Sequence, residues 1–166
     1  GTFDVVRIDH FRGIESYWAV PYGEATARNG AWCKGPGMNL IRAIRRELPE
    51  LDCIAEDLGF LTPEVTALVK RSGFPGMKVL EFAFDAREPS NYLPHTYERN
   101  CICYTGTHDN ETLAQWAEAV GEENYAYAAR YLAKGPEESI CRAVIRGGMS
   151  SVADLFVAQM QDWLEL

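Results

Sequence analysis

The sequence predicts an α/β fold in which a parallel sheet is flanked by helices. Short apolar runs recur along the 166 residues, and segments with helical periodicity separate them. Strands that are almost entirely apolar are typical of a parallel sheet with both faces buried. The apolar fraction of 47% is sufficient for a sizeable core, and the length fits a single domain over residues 1–166.

Five apolar runs are expected to form the strands of this sheet. Each is short, is rich in β-branched or other apolar residues, and is followed by a loop. They lie at 2–9, 51–57, 76–84, 100–107 and 152–160. A helix is the alternative for the last run.

Two helices are expected in the first half of the chain. Residues 39–48 place apolar side chains on one helical face and three arginines on the other. The segment 61–73 has Thr62 as a favoured N-cap residue, Pro63 at the first helical position and Gly73 as a natural stop. Both segments therefore have the pattern of helices that cover a sheet.

Three further helices are expected in the second half, at 111–120, 122–133 and 136–146. Asn110 is expected to cap the first of them, because its side-chain oxygen can accept a hydrogen bond from the first turn. The pair Gly147-Gly148 is expected to end the last one.

Charge and cysteine content exclude several classes of protein. The net charge of -8 argues against nucleic-acid binding, which needs a basic surface. No apolar stretch approaches the roughly 20 residues of a membrane span, and the opening GTFDVV reads as folded structure rather than as a signal peptide. The cysteines are scattered and form no C-x-x-C pair, which predicts reduced thiols in a cytoplasmic protein and no zinc site. They are Cys33, Cys53, Cys101, Cys103 and Cys141.

Three acidic residues follow expected strands. Asp9 ends the first strand, Glu56 the second and Asp109 the fourth. In parallel α/β folds the carboxyl ends of the strands face the same side and carry the active site, so acids distant in sequence can converge there. Polar neighbours are expected to hold these acids and a substrate, namely Arg7, His10, His108 and Asn110.

Glycosyl transfer is the chemistry that suits such a set. A retaining mechanism needs one carboxylate as nucleophile and one carboxylic acid as proton donor, about 5–5.5 Å apart. Arg7 lies two residues before Asp9, and therefore on the same face of the strand, where it can pair with an ionised nucleophile. Glu56, which follows the apolar Ile54-Ala55, suits the proton donor, and the third carboxylate can stabilise positive charge on the sugar.

The residues leave other interpretations open. Any one of the acids can instead cap a helix or pair with an arginine, and the two His-Asp adjacencies raise a metal site. Asp9 and His10 point to opposite faces of a strand, however, and cannot easily hold the same ion. The loop expected over 10–38 is long enough to be functional. Its aromatic residues can stack on sugars or simply pack the loop; they are Tyr17, Trp18, Tyr22 and Trp32.

Several longer stretches occur in the order of one known family and cover most of the chain. They are VRIDHFRG (5–12), YWAVP (17–21), TARNGAWCKGPG (26–37), AEDLG (55–59), PGMKVLEFAF (75–84), LPHTY (93–97), YTGTHDNET (104–112) and QDWLEL (161–166). On these stretches the sequence resembles the 4-α-glucanotransferase family, also called amylomaltase or disproportionating enzyme. Any one motif is modest evidence, whereas the ordered set is specific.

The resemblance implies a retaining (β/α)8 TIM-barrel enzyme that cleaves an α-1,4-glucan and passes the covalently held piece to another sugar. Asp9 is similar to the family nucleophile, Glu56 to its general acid/base and Asp109 to its transition-state stabiliser. Substrate-binding roles are expected for Arg7, His10, Trp32, His108 and Asn110. The resemblance implies no metal and no organic cofactor.

The chain departs from the family in two residues and in size. Thr96 stands where Asn is usual and Glu81 where Gln is frequent. Family members are much longer, and the chain matches about strands four to eight of the barrel, the C-terminal part of the catalytic domain. This predicts a partial barrel that has little or no activity in isolation and that either self-associates through open sheet edges or rearranges. A related α-glucan hydrolase, a non-catalytic glucan-binding module and a metal-dependent barrel hydrolase are the competing interpretations.

Overall fold

The computed structural model describes residues 3–59 and 61–166. Their contacts divide the chain into two compact units, Gly1–Gly76 and Met77–Leu166, which are described in turn. Each unit contains a parallel strand pair together with helices, so the α/β class is confirmed. The single domain over 1–166 and the partial barrel stay predictions.

A parallel strand pair forms the sheet of the first unit. The strands are β1 (Val5–Ile8), β2 (Ser16–Ala19), β3 (Ala31–Lys34) and β4 (Asp52–Ala55), and the helices are α1 (Arg12–Glu15), α2 (Met38–Glu47) and α3 (Pro63–Ser72). β1 pairs with β4, and the register places Ile8 opposite Ala55. The expected strands 2–9 and 51–57 are therefore present but shorter, and Thr2 lies outside the described residues.

The segment 10–38 is not a plain loop, and this expectation was wrong. It contains α1 and an antiparallel pair, β2 with β3, in which Trp18 lies opposite Trp32. The two indole rings meet edge to face with their centroids 5.5 Å apart, an arrangement that stabilises cross-strand pairs. Gly30 allows the Trp18 indole to lie against the main chain, because a Cβ atom at this position would lie 2.3 Å from Trp18 Nε1.

The two helices expected in the first unit are confirmed. Thr62 Oγ1 accepts a hydrogen bond from the Val65 N–H at the start of α3, and Gly73 ends the helix with a left-handed φ of 69°. The buried core under these helices is apolar. It consists of Phe11, Ile14, Ile41, Cys53, Ala55, Leu68 and Phe74.

The second unit is built on three strands in the order β5-β6-β7. The strands are β5 (Gly76–Val79), β6 (Cys101–Tyr104) and β7 (Leu155–Val157). The first residue of β5, Gly76, is also the last residue of the first unit. The helices are α4 (Leu113–Ala119), α5 (Glu122–Tyr131), α6 (Ile140–Met149) and α7 (Met160–Leu164). β6 and β7 are parallel. The strand expected at 152–160 is thus confirmed over Leu155–Val157, while α7 was not expected.

Two boundaries that precede α6 in the second unit differ clearly from expectation. The strand expected at 76–84 ends at Val79, and the chain continues as a 3-10 turn, Leu80–Phe82. The apolar residues on either side of this turn are buried. Thr112, rather than Asn110, caps α4, because the Asn110 oxygen already accepts hydrogen bonds from Thr107.

Helix α6 starts at Ile140 instead of 136, and it runs through Gly147-Gly148 to Met149. The later start follows from Glu138, whose carboxylate accepts the Gly135 N–H and pairs with Arg146. Ser139 then caps the helix by accepting the Arg142 N–H.

The core of the second unit lies between the three-stranded sheet and the helices. Cys101 and Cys103 are both buried in it. All five cysteines of the chain are free thiols. The remaining buried members are Leu80, Ala83, Phe84, Leu93, Tyr97, Leu113, Trp116, Ala128, Leu132, Ile140, Cys141, Ala143, Val144 and Ile145.

Candidate active site

Asp9 and Glu56 emerge side by side from the paired strands β1 and β4. Each is the next residue after the register pair Ile8 and Ala55. The Glu56 N–H donates to the Ile8 carbonyl at 3.0 Å, and the Phe11 N–H donates to the Glu56 carbonyl, also at 3.0 Å. The ladder thus continues past the strand ends and holds the two acidic residues at the same edge of the sheet.

Arg7 pairs with Asp9. Its Nη2 lies 3.1 Å from Asp9 Oδ1, and the two residues share a strand face because they are two positions apart. The Asp9 side chain is 68% exposed, whereas the Arg7 side chain is 29% exposed. The guanidinium therefore orients one carboxylate oxygen while much of the carboxylate stays open to a ligand.

Backbone amides hold the Glu56 carboxylate. Oε2 accepts the His10 N–H at 2.6 Å, and Oε1 accepts the Leu58 N–H at 2.9 Å. His10 has a φ of 47°, a left-handed conformation that non-glycine residues adopt infrequently and that concentrates at functional sites. The contact between His10 and Glu56 is thus made by the backbone, and a substrate-binding role for the imidazole stays a prediction.

Trp32 lies half exposed on the hairpin formed by β2 and β3. Its side chain is 57% exposed, and the Arg12 guanidinium lies 4.6 Å from the centroid of its ring. Trp18, which packs edge-on against Trp32, donates its indole N–H to the Ala27 carbonyl at 2.8 Å. The hairpin therefore presents a fixed aromatic surface, the kind of surface on which a sugar ring stacks. Arg12 was missed as a supporting residue, although it stands within the VRIDHFRG stretch.

Asp109 lies in the second unit, in the turn between β6 and α4. Its side chain is 81% exposed, with Oδ2 3.4 Å from His108 Nε2. Asn110 braces this turn, because its Oδ1 accepts the Thr107 N–H at 3.0 Å and the Thr107 hydroxyl at 2.8 Å. The Gln159 side chain donates to the Thr107 carbonyl at 3.3 Å.

The predicted residues thus form two groups. In the first unit, hydrogen bonds join Arg7 to Asp9 and His10 to Glu56. In the second, His108 contacts Asp109, and Asn110 in the same turn accepts hydrogen bonds from Thr107. The meeting of all three acids in one pocket stays a prediction.

Glu81 is a partly buried acid that the sequence singles out only as a departure from the family. Burial, and to a smaller extent the nearby Asp162, raise the pKa of its carboxyl to about 8, while a hydrogen bond with Asn110 acts in the opposite direction. The link to Asn110 connects Glu81 to the turn that carries Asp109. In the sequence, the one sign that Glu81 is unusual is its place in the GMKVLEFAF run, where an acid stands among apolar residues.

Within residues 3–59 and 61–166, we find no cluster of three or more histidine, cysteine, aspartate or glutamate side chains that is suited to a metal ion. Over the same ranges, none of the helices has the length and apolar character needed to cross a bilayer.

Comparison with known proteins gives a consistent result. A family model described as 4-alpha-glucanotransferase matches residues 1–166. The 4-alpha-glucanotransferase of Clostridium butyricum is 50% identical over 165 residues, which is 99% of this chain and 34% of that protein. The Thermus thermophilus protein of the same name is 46% identical over 171 residues, 99% of this chain and 34% of that protein.

Two solved structures agree with this result. Amylomaltase from Streptococcus agalactiae in complex with acarbose superposes with a TM-score of 0.91 at 39% identity, covering 98% of this chain and 33% of that one. Amylomaltase from Corynebacterium glutamicum has a TM-score of 0.72 at 17% identity, covering 93% and 28%, and supports the fold alone. This chain spans about a third of the length of the relatives that it matches. Because the family model covers the whole chain, the chain belongs to the 4-alpha-glucanotransferase family.

Proposed function

We propose that the chain carries the catalytic acids of a retaining 4-α-glucanotransferase that acts on α-1,4-glucans. Asp9 is the nucleophile, Glu56 the general acid/base and Asp109 the stabiliser of the transition state. The observation that carries this assignment is that Asp9 and Glu56 lie side by side at the ends of neighbouring parallel strands. Arg7 donates to the Asp9 carboxylate, and the His10 N–H donates to the Glu56 carboxylate. Family membership supports the reaction type.

In the first half-reaction, an Asp9 oxygen attacks the anomeric carbon of the donor glucan. Arg7 holds Oδ1 at 3.1 Å and so fixes the direction from which the carboxylate approaches. Glu56 donates its proton to the glycosidic oxygen as the C–O bond breaks, and the shortened glucan leaves as an alcohol. The product is a glycosyl ester on Asp9.

In the second half-reaction, the hydroxyl of an acceptor sugar attacks the glycosyl ester. Glu56 takes the proton of that hydroxyl, the ester bond breaks and Asp9 is restored as a carboxylate. The net configuration at the anomeric carbon is retained because it inverts twice. Asp109, in its exposed turn, supports the positive charge that develops on the sugar in both steps.

The five expected substrate contacts have different support. Trp32 is a half-exposed platform for a sugar face, and Arg7 and His108 lie beside a catalytic carboxylate. The His10 and Asn110 side chains are the weaker candidates, since one acts here through its backbone and the other is occupied with Thr107.

The test replaces the matching 165 residues of the Clostridium butyricum relative with this chain and assays the product with maltotriose. Transfer yields glucose together with longer maltodextrins. The Asp9→Asn variant should lose about a thousandfold or more in kcat, because the covalent step is removed. Asp52→Asn is the matched control, since Asp52 is exposed at the opposite end of the same strand pair.

Retained transfer in Asp9→Asn would overturn the nucleophile assignment. An α-glucan hydrolase shares the first half-reaction, and glucose with maltose but no longer products would favour it. The isolated chain should bind maltodextrin weakly and transfer little, because it spans about a third of the relatives. Binding without turnover in the chimera would favour a non-catalytic glucan-binding module, and inactivation by a chelator would favour a metal-dependent hydrolase. A cytoplasmic location stays a prediction.

A further inference from the structure

Thr107 is a buried polar residue in the turn that carries Asp109. The residue is 8% exposed and follows the end of β6. Its hydroxyl donates to Asn110 Oδ1 at 2.8 Å and accepts the Asp109 N–H at 3.3 Å. Its own N–H donates to the same Asn110 oxygen at 3.0 Å. Because a hydroxyl offers one proton and two lone pairs, it makes both of its bonds at once, and the Thr107 side chain therefore closes the turn from within.

The Thr107 carbonyl also accepts two hydrogen bonds. The Asn110 N–H donates to it at 3.1 Å and completes the turn, and Gln159 Nε2 donates to it at 3.3 Å from 52 positions further along the chain. Gln159 stands at the N-cap position of α7, and its amide extends to Thr107 instead of capping that helix. The Gln159 side chain therefore ties the turn after β6 to the junction between β7 and α7.

The junction between β7 and α7 is itself anchored on both sides of Gln159. The Thr105 N–H donates to the Val157 carbonyl at 3.1 Å, which extends the pairing of β6 with β7 beyond the strand ends. Asp162 on α7 is 1% exposed and accepts the Thr105 hydroxyl at 2.5 Å. Because Gln159 lies between these two anchors in the sequence, its amide reaches Thr107 from a fixed position.

The carboxylate of Asp109 depends on this turn for its direction. The Asp109 side chain is 81% exposed, and its Oδ2 lies 3.4 Å from His108 Nε2. A side chain that is mostly surrounded by solvent takes its position from the main chain that carries it. At a reacting centre, a displacement of about 1 Å can cost roughly a hundredfold in rate. The hydrogen bonds of Thr107 therefore bear on any reaction in which the Asp109 carboxylate takes part.

We propose that Thr107 and Gln159 are positioning residues that fix the turn bearing Asp109 for the glucanotransferase reaction. Thr107 holds the turn internally through its hydroxyl, and Gln159 fastens the turn to the end of β7 through the Thr107 carbonyl. Both residues act through Asp109 rather than on the sugar. The catalytic significance of this role rests on the proposed function, in which Asp109 stabilises the transition state.

Hydrogen–deuterium exchange of peptides that contain residues 107–110 tests the positioning role without an assay of activity. Thr107→Val replaces the hydroxyl with a methyl group of similar size and removes the acceptor of the Asp109 N–H. Exchange should accelerate about fivefold or more, since the protection given by a hydrogen bond is lost. Thr107→Ser keeps the hydroxyl and should exchange at the original rate. Unchanged exchange in Thr107→Val, or equal acceleration in Thr107→Ser, would overturn the role of the hydroxyl.

Gln159→Met tests the link to the end of β7 separately. Methionine has a similar length but cannot donate to the Thr107 carbonyl, so exchange over residues 107–110 should again accelerate. Gln161→Met is the matched control, because Gln161 is exposed two residues later, on α7. Equal exchange rates in Gln159→Met and Gln161→Met would contradict the link.

Kinetics of the chimera with the Clostridium butyricum relative show whether the positioning matters for catalysis. Thr107→Val should lower kcat about tenfold or more with little change in KM, because Asp109 is assigned to the transition state rather than to ground-state binding. Thr107→Ser should recover most of this kcat. Thr96→Val is the control for a general loss of stability, since the Thr96 hydroxyl also donates to main-chain carbonyls of the second unit. Its kcat should equal that of the unmodified chimera, and an equal kcat in Thr107→Val would overturn the positioning role.

The two proposals fail on different results. If Asp109→Asn leaves transfer intact, the catalytic assignment of Asp109 fails, while the exchange experiments still decide whether Thr107 and Gln159 fix the turn. If Asp109→Asn abolishes transfer but Thr107→Val keeps the full kcat, the positioning role fails alone.

Discussion

At the scale of single residues, a few buried polar side chains determine where the chain turns. Asp162 is the clearest case, because its Oδ2 accepts the Thr105 hydroxyl at 2.5 Å and its Oδ1 accepts the Leu113 N–H at 2.8 Å. These bonds join the end of β6, the start of α4 and α7. Such a carboxylate acts as a remote cap for a helix whose own first N–H groups lack intrahelical partners.

We expect Asp162→Ala to lower the free energy of unfolding by about 3 kcal/mol, since it leaves a buried hydroxyl and a buried N–H without an acceptor. Asp154→Ala is the matched control, because Asp154 pairs with Arg99 at the surface and exposed pairs contribute about 1 kcal/mol or less. Urea denaturation of both variants measures the difference. Equal losses would show that Asp162 is no more important than a surface aspartate.

At the scale of elements, close packing overrode a local stop signal in α6. The helix continues through Gly147-Gly148 because Gly148 faces the ring of Phe156 on β7. A Cβ atom at Gly148 would lie 2.3 Å from one ring carbon and 3.0 Å from a Leu80 methyl group. The glycine is thus needed for helix-to-strand contact rather than for a turn.

Gly148→Ala should destabilise the second unit, because overpacking costs about 1–3 kcal/mol and should exceed the roughly 1 kcal/mol that alanine adds to helix propensity. Gly147→Ala is the neighbouring control. Its Cβ atom would meet only one terminal methyl of Leu132, which can rotate away. Thermal unfolding of both variants provides the comparison, and a Gly148→Ala chain as stable as Gly147→Ala would refute this explanation of the helix.

Elements whose signals are local could be predicted from the sequence. Thr62, Pro63 and Gly73 set both ends of α3 through the chain's own cap chemistry. The pair β2 and β3 was missed because it depends on Trp18 meeting Trp32 across a connection that resembles a loop. Asn110 has the residue type and position of a helix cap, yet its side-chain oxygen accepts a hydrogen bond from the Thr107 hydroxyl instead. The spacing of residues in the sequence does not indicate which of these two hydrogen bonds forms.

The same distinction applies to the site. Asp9 and Glu56 were predictable as neighbours because the carboxyl ends of parallel strands share an edge, and their register bears this out. Their individual partners were only half predictable. Arg7 follows from strand periodicity, whereas the contact of His10 N–H with Glu56 depends on a left-handed φ that a sequence does not show.

At the scale of the whole molecule, apolar side chains remain exposed on strands of both units. Val5 and Val6 are exposed on β1, and Leu155 and Val157 are exposed on β7. In the described sheets, β1 pairs with β4 alone and β7 is a terminal strand. Strands of this kind are templates for pairing with another chain.

We therefore expect the chain to self-associate at micromolar concentration, with a weight-average mass that rises with concentration in sedimentation experiments. Val5→Lys and Val157→Lys should reduce the association, because a charge on a strand edge opposes pairing. Val152→Lys is the control, since Val152 is exposed outside any strand. A monodisperse monomer at all concentrations would contradict the expectation.

The most direct test of the catalytic assignment is to identify the residue that carries the sugar. In the chimera with the Clostridium butyricum relative, Glu56→Gln lacks the base for the second step, whereas α-maltosyl fluoride needs no acid to release fluoride. The glycosyl ester should therefore accumulate, and mass spectrometry of the digested protein should place one maltosyl group on Asp9. A maltosyl group on another carboxylate, or fluoride release without any adduct, would contradict the account.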